Sequence, residues 1–220
     1  MGKKRNEAES EAREAILLWA CMMGVYALMG IAWNIWNIYL GVWVNIIFCV
    51  LCMVRAAQKG KGLSSLGISK EGAGVSCRIG LLCAAVILVL NGILPGMLRG
   101  RDLAPAGVVC IRFLYFLFII ALPEEIIFRG YLVTRLEAAK GSWKQAVLLS
   151  GLLFVLIHIP YQYIVSGGGV VSYLLNGNLV TLLMTFIWHL VFCTLFKKTK
   201  SMYGVVLFHG IMDWSNYIYL

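Results

Sequence analysis

Apolar runs of nearly bilayer length recur along this chain, and they restrict its fold more than any other feature. A helix needs about 20 apolar residues to cross the hydrocarbon layer. Seven runs come close to that length, and they cover residues 15–33, 35–54, 79–98, 105–122, 146–165, 179–196 and 202–220. Since 61% of the 220 residues are hydrophobic and only 13% are charged, little polar surface remains for a soluble domain. The sequence predicts an all-α, polytopic transmembrane helix bundle of about seven spans, within a range of six to eight.

The placement of basic residues predicts the orientation of this bundle. If the N-terminus is cytoplasmic, sixteen of the nineteen Lys and Arg residues lie in cytoplasmic segments. Only Arg99 and Arg101 then face the other side, and Arg112 falls within a span. This asymmetry follows the positive-inside rule. Because the basic residues are spread over four short segments, we expect them to contact anionic lipid head groups and expect no nucleic-acid partner. The short loops favour an integral protein of the bacterial inner membrane.

The chain divides into three parts by composition. Residues 1–14 form a cytoplasmic tail that carries both basic and acidic side chains. Residues 15–104 hold the N-terminal transmembrane helices, with a cytoplasmic loop at 55–78. Residues 105–220 hold the remaining apolar runs and the polar residues that are candidates for a site. The first apolar run lacks a clear cleavage signal, so we expect it to be retained as an anchor.

Two adjacent acidic residues, Glu124 and Glu125, directly follow the fourth apolar run, within the stretch PEEIIFR at 123–129. A carboxylate inside hydrocarbon costs a few kcal/mol even on lenient insertion scales, which makes an intramembrane acidic residue a functional candidate. A structural alternative is that the pair caps a helix N-terminus at the membrane interface, where acidic side chains suit the helix dipole.

Two further patterns place histidines in apolar runs. Phe154 and His158 form the first pattern, F-x-x-x-H, and His209 and Asp213 form the second, H-x-x-x-D. At a rise of 1.5 Å per residue, both histidines, Asp213 and Glu124 reach depths of about 14–24 Å from the inner interface. This common depth predicts that the four polar side chains line one enclosed, wet cavity.

Helical spacing suggests different roles for the two glutamates. Residues four apart share a face of a helix, so Glu125 can pair with Arg129 and remain ionised. Glu124 is rotated by about 100° and is left to act elsewhere. The segment 105–139 is too long for one straight crossing, so we expect it to tilt, to kink at Pro123 or to break.

A carboxylate and two imidazoles in a closed cavity are suited to hydrolysis. The carboxylate can take a proton from water, and an imidazole can donate to the oxyanion of a tetrahedral intermediate. The same side chains could instead bind zinc through Glu124, His158 and His209, although no H-E-x-x-H pair is present. A proton relay in a transporter is a third interpretation.

The ordered motifs E-E-x-x-x-R, F-x-x-x-H and H-x-x-x-N/D resemble those of the CPBP family. This family comprises type II CAAX prenyl endopeptidases and Abi-type bacterial proteins linked to bacteriocin immunity. The resemblance covers residues 105–216, about half of the chain. It implies an intramembrane glutamic endopeptidase, of a type formerly described as a metalloprotease, in which no metal or other cofactor is expected and zinc is the alternative.

The resemblance also implies a role for each motif residue. Glu124 and His158 would activate the hydrolytic water, and His209 with Asp213 would form the oxyanion site. Glu125, Arg129 and Phe154 would support them.

The sequence departs from the eukaryotic pattern at Asp213, where Asn is usual. An ionised carboxylate at that position would repel an oxyanion. Asp213 is therefore either protonated in its apolar surroundings, or it orients His209 and stabilises the positive form of that ring. We expect the second arrangement.

Two polar residues within apolar runs lie outside the motifs. His189 is either bonded within the helix bundle or part of the cavity, and the first alternative is the usual one for a single histidine on an apolar helix. Arg112 has three candidate partners, which are a lipid head group, a backbone carbonyl and a carboxylate.

The expected function is hydrolysis of a peptide bond in a membrane-associated peptide, either a prenylated peptide or a leader. The expected partners are membrane lipids and that peptide. Two alternatives remain, namely a non-enzymatic bacteriocin self-immunity protein of the same fold and a proton-coupled transporter.

Overall fold

Seven helices make up the computed structural model, which describes residues 2–220. The helices are α1 (Gly2–Trp36), α2 (Gly41–Gln58), α3 (Ala73–Leu98), α4 (Ala106–Lys140), α5 (Trp143–Ser166), α6 (Val170–Thr199) and α7 (Tyr203–Trp214). Short 3-10 turns cover Leu63–Leu66 and Ser215–Tyr217. By length and composition, α1 to α6 can each cross a membrane. The all-α, polytopic membrane fold is thereby confirmed.

The predicted seventh span, at 202–220, contains a shorter helix than expected. Helix α7 has 12 residues, which corresponds to a length of about 18 Å, whereas the hydrocarbon layer is about 30 Å thick. Six full-length spans lie within the predicted range of six to eight. The difference arises because the apolar pattern continues past Trp214, where the chain leaves the helix through the 3-10 turn.

The packing of the helices groups the chain into two compact units. One unit comprises the chain up to Cys52 together with Ile127–Cys193, and the other comprises Met53–Ile126 together with Thr194–Leu220. We refer to them as the first and the second unit. They are defined by packing, whereas the three predicted parts are defined by composition. The division of the sequence after residues 14 and 104 stays a prediction.

In the first unit, α1 packs against the ends of two other helices. Its neighbours are the segments Thr134–Lys140 of α4 and Ile159–Ser166 of α5. The indole N–H of Trp19 donates to the carbonyl oxygen of Leu153 at 2.9 Å. The N-terminal tail is helical from Gly2 and is continuous with the first span.

Helix α4 stays helical through Pro123, which lacks the N–H that an α-helix needs at that position. A π-helical segment, Tyr115–Ala121, precedes the proline, and a second one, Ile126–Val133, follows it. Between them lies a single α-helical turn, Leu122–Glu125, which carries both glutamates. Local π adjustments can re-satisfy the backbone groups that a proline frees in a membrane helix, and π segments often occur at functional sites. Of the expected alternatives of tilting, kinking or breaking, α4 shows no break.

In the second unit, α7 packs closely against α3 at its N-terminal end. The Ser76 hydroxyl donates to the carbonyl of Ser201 at 3.0 Å and accepts from the backbone N–H of Gly204 at 3.1 Å. A Cβ added to Gly80 would lie 2.1 Å from the carbonyl oxygen of Gly204. Glycine is therefore required at position 80 by the close approach of the two helices.

The C-terminal end of α7 is held by side-chain bonds to backbone carbonyls. Arg112 donates from Nη1 to the carbonyls of Tyr217 and Tyr219, at 2.8 and 3.2 Å. The indole N–H of Trp214 donates to the carbonyl of Val109 at 3.0 Å. Of the three partners expected for Arg112, the structure shows backbone carbonyls. Helix α7 is therefore fixed to α3 at one end and to the start of α4 at the other.

Substituting Gly80 by alanine should lower the stability of the protein. The added methyl group has no room beside the backbone of α7, so we expect the free energy of unfolding to fall by about 1–3 kcal/mol. Unfolding in detergent micelles, followed by circular dichroism, measures this loss. Gly74→Ala in the same helix is the matched control, because a Cβ added there would have no atom within 4 Å. Equal stability of the two variants would contradict the proposed contact.

Candidate active site

The imidazole of His209 lies among three carboxylates in the second unit. Its Nδ1 is 2.7 Å from Oε1 of Glu125, and its Nε2 is 3.3 Å from Oδ2 of Asp213. The same Nε2 is 4.0 Å from Oε2 of Glu124, which is too long for a direct hydrogen bond. An ionised carboxylate only accepts hydrogen bonds, so this arrangement suits the imidazolium form, which donates from both nitrogens.

Local helix geometry explains why these side chains meet. Glu124 and Glu125 are consecutive in an α-helical turn, so their directions differ by about 100° and they approach opposite nitrogens of one ring. His209 and Asp213 are four residues apart and share a face of α7. A Cβ at Gly210 would lie 3.0 Å from the backbone of Leu117, so glycine beside His209 permits the close packing of α7 on α4.

Exposure to solvent separates the three carboxylates into two kinds. The side chain of Glu125 is completely buried, whereas those of Glu124 and Asp213 are 16% and 30% exposed. A buried carboxylate that accepts a bond from an imidazole is suited to hold that ring in place. The partly exposed carboxylates are the ones that water and a substrate can reach.

His158 belongs to the first unit and lies at a break in α5. The helix is interrupted there because Pro160 cannot continue the hydrogen-bond ladder. The backbone N–H of His158 turns to the carbonyl of Val155, so the carbonyl of Phe154 accepts from the ring instead, at 2.7 Å from Nδ1. Since a carbonyl only accepts, Nδ1 carries the proton in the neutral ring and Nε2 is left as an acceptor.

Phe154 is surrounded by functional candidates of the first unit. The guanidinium carbon of Arg129 lies 4.4 Å from the centre of the Phe154 ring and 5.2 Å from that of Phe192. These distances are typical of cation–π contacts, which suit a fully buried arginine. The rings of Phe154 and His158 meet edge to face at 4.9 Å. Phe154 thus contacts the other motif residues of its unit through its ring and its carbonyl.

His189 is bonded within the bundle, which is the first of its two expected alternatives. Its ring is fully buried in α6, with Nε2 at 2.9 Å from the hydroxyl of Ser150 and 3.2 Å from the thiol sulfur of Cys193. Its centroid lies 5.5 Å from that of Phe154, at an interplanar angle of 35°.

The residues predicted from the sequence fall into two groups. Glu124, Glu125, His209 and Asp213 meet in the second unit, whereas Arg129, Phe154 and His158 meet in the first. That all of them line one cavity stays a prediction, and so does the pairing of Glu125 with Arg129.

Two neighbours of the group in the first unit, Ser150 and Phe192, were not predicted from the sequence. The hydroxyl of Ser150 was a detectable signal, because it is a polar group within the fifth apolar run. Phe192 lies in a run of apolar residues and carried no signal.

The side chains that could bind a metal do not have the arrangement that zinc requires. Among residues 2–220, no group of three or more His, Cys, Asp and Glu side chains is placed to hold a metal ion. Both nitrogens of His209 face carboxylate oxygens, whereas a zinc ligand directs one nitrogen at the metal from about 2.0 Å. The side chains as arranged do not fit zinc, and absence of a cofactor stays a prediction.

Comparison with known proteins gives one match. A family model described as type II CAAX prenyl endopeptidase Rce1-like matches residues 106–215, half of the chain. This range includes every candidate site residue. No curated protein and no solved structure matches.

Substituting Glu125 by alanine should strongly destabilise the protein. The change leaves a buried imidazole beside an empty space, and breaking a buried ion pair costs about 3–5 kcal/mol. Unfolding in detergent micelles measures this cost. The control is Glu7→Ala, which changes an exposed residue near the start of α1 and should leave the transition unchanged. A loss for Glu125→Ala no larger than that of the control would refute the buried bond.

Proposed function

This chain belongs to the Rce1-like family of type II CAAX prenyl endopeptidases, a family of membrane proteases, and from that premise we propose that it hydrolyses a peptide bond within the membrane. One observation carries the proposal. His209 is held by a buried carboxylate on one nitrogen and faces two accessible carboxylates on the other. This arrangement provides an oriented proton donor beside a carboxylate base, which acyl hydrolysis requires.

We propose Glu124 as the general base. Its carboxylate is partly exposed and lies 4.0 Å from Nε2 of His209, so water can reach it and it is suited to accept a proton from that water. As water attacks the peptide carbonyl, the carbon–oxygen bond forms and the proton moves to Glu124. Collapse of the tetrahedral intermediate then breaks the carbon–nitrogen bond, and the proton passes to the leaving amine.

The family motif supports His158 as a second partner of this water. Its Nδ1–H is bound to the carbonyl of Phe154, so the neutral ring offers Nε2 as an acceptor. A ring with a fixed tautomer is suited to accept a hydrogen bond from water. This role rests on the motif and on the tautomer of His158.

We propose that Glu125 and Asp213 act on His209 from opposite sides. Glu125 holds Nδ1, as the buried aspartate of a serine-protease triad holds its histidine, and so directs Nε2–H. Asp213 stabilises the positive ring from the Nε2 side, as expected from the sequence. The orienting role that was predicted for Asp213 is better suited to Glu125, which is closer and fully buried.

The proposed substrate is a membrane-associated peptide, either prenylated or a leader peptide. The proposed location is the bacterial inner membrane, with lipids as the surrounding partner. No cofactor is required by this mechanism, since Glu124 and His209 supply the base and the proton donor.

Glu124→Gln should abolish cleavage while keeping the shape of the side chain. The protein in liposomes is offered fluorogenic membrane peptides of two types, farnesylated C-terminal peptides and apolar leader peptides. Loss of a general base should lower the cleavage rate by about 10²–10⁴-fold. Glu71→Gln, in an exposed loop, is the matched control and should retain the wild-type rate. Wild-type cleavage by Glu124→Gln would refute this mechanism. If wild type and Glu124→Gln both confer full bacteriocin immunity and neither cleaves a peptide detectably, the non-enzymatic alternative is favoured.

Chelators should leave the cleavage rate unchanged. The proposed mechanism needs no metal, so treatment with EDTA or phenanthroline followed by gel filtration should not alter activity. Loss of cleavage that added zinc restores would overturn the metal-free mechanism.

Asp213→Asn should retain cleavage. An asparagine amide loses the charge that stabilises the His209 ring, but it would not repel the oxyanion, and its N–H₂ group can donate a hydrogen bond to that oxyanion. We expect a rate within about tenfold of wild type, whereas Asp213→Leu should lose about 10²-fold or more because it removes every polar contact. Steady-state kinetics on the cleaved peptide measures both. Equal losses in the two variants would show that the negative charge itself is required.

A further inference from the structure

The region around Phe154 connects two histidines of the first unit that do not share a motif. His158 donates to the Phe154 carbonyl and touches its ring, and His189 packs on the same ring at 5.5 Å. The guanidinium of Arg129 lies over the ring as well. Phe154 therefore contacts the His158 imidazole with both its carbonyl and its ring.

The His189 ring is fixed by a chain of hydrogen bonds. The Ser150 hydroxyl donates to the carbonyl of Val147 at 3.1 Å, so its oxygen accepts from Nε2–H of His189 at 2.9 Å. The same nitrogen lies 3.2 Å from the sulfur of Cys193, one turn further along α6. These contacts set both the tautomer and the rotation of the ring.

Close packing of α5 on α6 restricts the ring further. A Cβ at Gly151 would lie 2.7 Å from the ring of Phe186 and 3.2 Å from Cδ2 of His189. Glycine at this position lets the two helices approach and encloses the imidazole. A fully buried histidine with defined neighbours on both helices is a rigid support for the side chain beside it.

We propose that His189, anchored by Ser150, is a positioning residue for His158 and acts through Phe154. The proposal deepens the proposed function, since it rests on a catalytic role for His158. His189 itself contacts neither the hydrolytic water nor the substrate. It holds the Phe154 ring, and that ring in turn packs against the His158 imidazole.

Nitrogen-15 NMR of histidine-labelled protein in detergent micelles tests this support without requiring cleavage. The chain has three histidines, so single variants assign every signal. The two test variants are Ser150→Ala, which removes the acceptor, and His189→Phe, which keeps an aromatic ring but loses the bond. The control is Thr181→Ala, an exposed position on α6.

In wild type, His158 should show a protonated Nδ1 and a bare Nε2. Both test variants should shift or broaden the His158 Nδ1–H signal and leave the His209 signals in place, whereas the control should change neither. With a cleaved peptide, kcat should fall by about 10- to 100-fold while KM stays within about twofold, as expected when a reacting group is displaced.

An unchanged His158 signal in a folded Ser150→Ala protein would overturn the proposal. That variant loses a single oxygen atom, so it serves even if His189→Phe fails to fold. The two proposals can fail separately. If wild type cleaves no peptide, the proposed function fails while the NMR result still decides the positioning role.

Discussion

The hydrogen bond between His209 and Glu125 is the interaction on which the second unit depends. It is 2.7 Å long, fully enclosed, and joins residues 84 positions apart in the chain. A carboxylate buried in apolar surroundings is tolerated only with a polar partner, and the His209 imidazole is one such partner for Glu125. Ser76 of α3 binds the N-terminal end of α7, and Arg112 of α4 binds the segment that follows its C-terminal end. These contacts place His209 beside Glu124 and Glu125.

Three carboxylates surround one imidazole, and the structure places two of them at the accessible side of the ring. Glu125 is closed off by its bond, while Glu124 and Asp213 retain contact with solvent. Solvation stabilises the two outer carboxylates where the ring cannot. This difference in exposure matches the proposed roles. The buried Glu125 orients the ring, and the accessible Glu124 and Asp213 lie where the reaction takes place.

Much of the fold and part of the site could be predicted from the sequence. Apolar runs of about 20 residues predict crossing helices whatever their packing, and the four-residue spacing places His209 and Asp213 on one face, as the structure has them. The bond from Glu125 to His209 could not be predicted, because it depends on tertiary packing between distant segments. The π-helical segments around Pro123 could not be predicted from the sequence either. They change the number of residues per turn, so an assignment of side chains to faces of α4 by α-helical spacing does not hold across them. His189 was identified as a candidate, but its support of Phe154 depends on contacts between two helices.

A double-mutant cycle between Glu125 and His209 tests this account most directly. The free energies of unfolding of Glu125→Gln, His209→Gln and the double variant are compared with that of wild type in the same micelles. We expect a coupling energy of about 1–3 kcal/mol. Each single change leaves the remaining residue buried without the oppositely charged partner. Additive losses, within about 0.5 kcal/mol, would contradict the account, since independent residues show no such coupling.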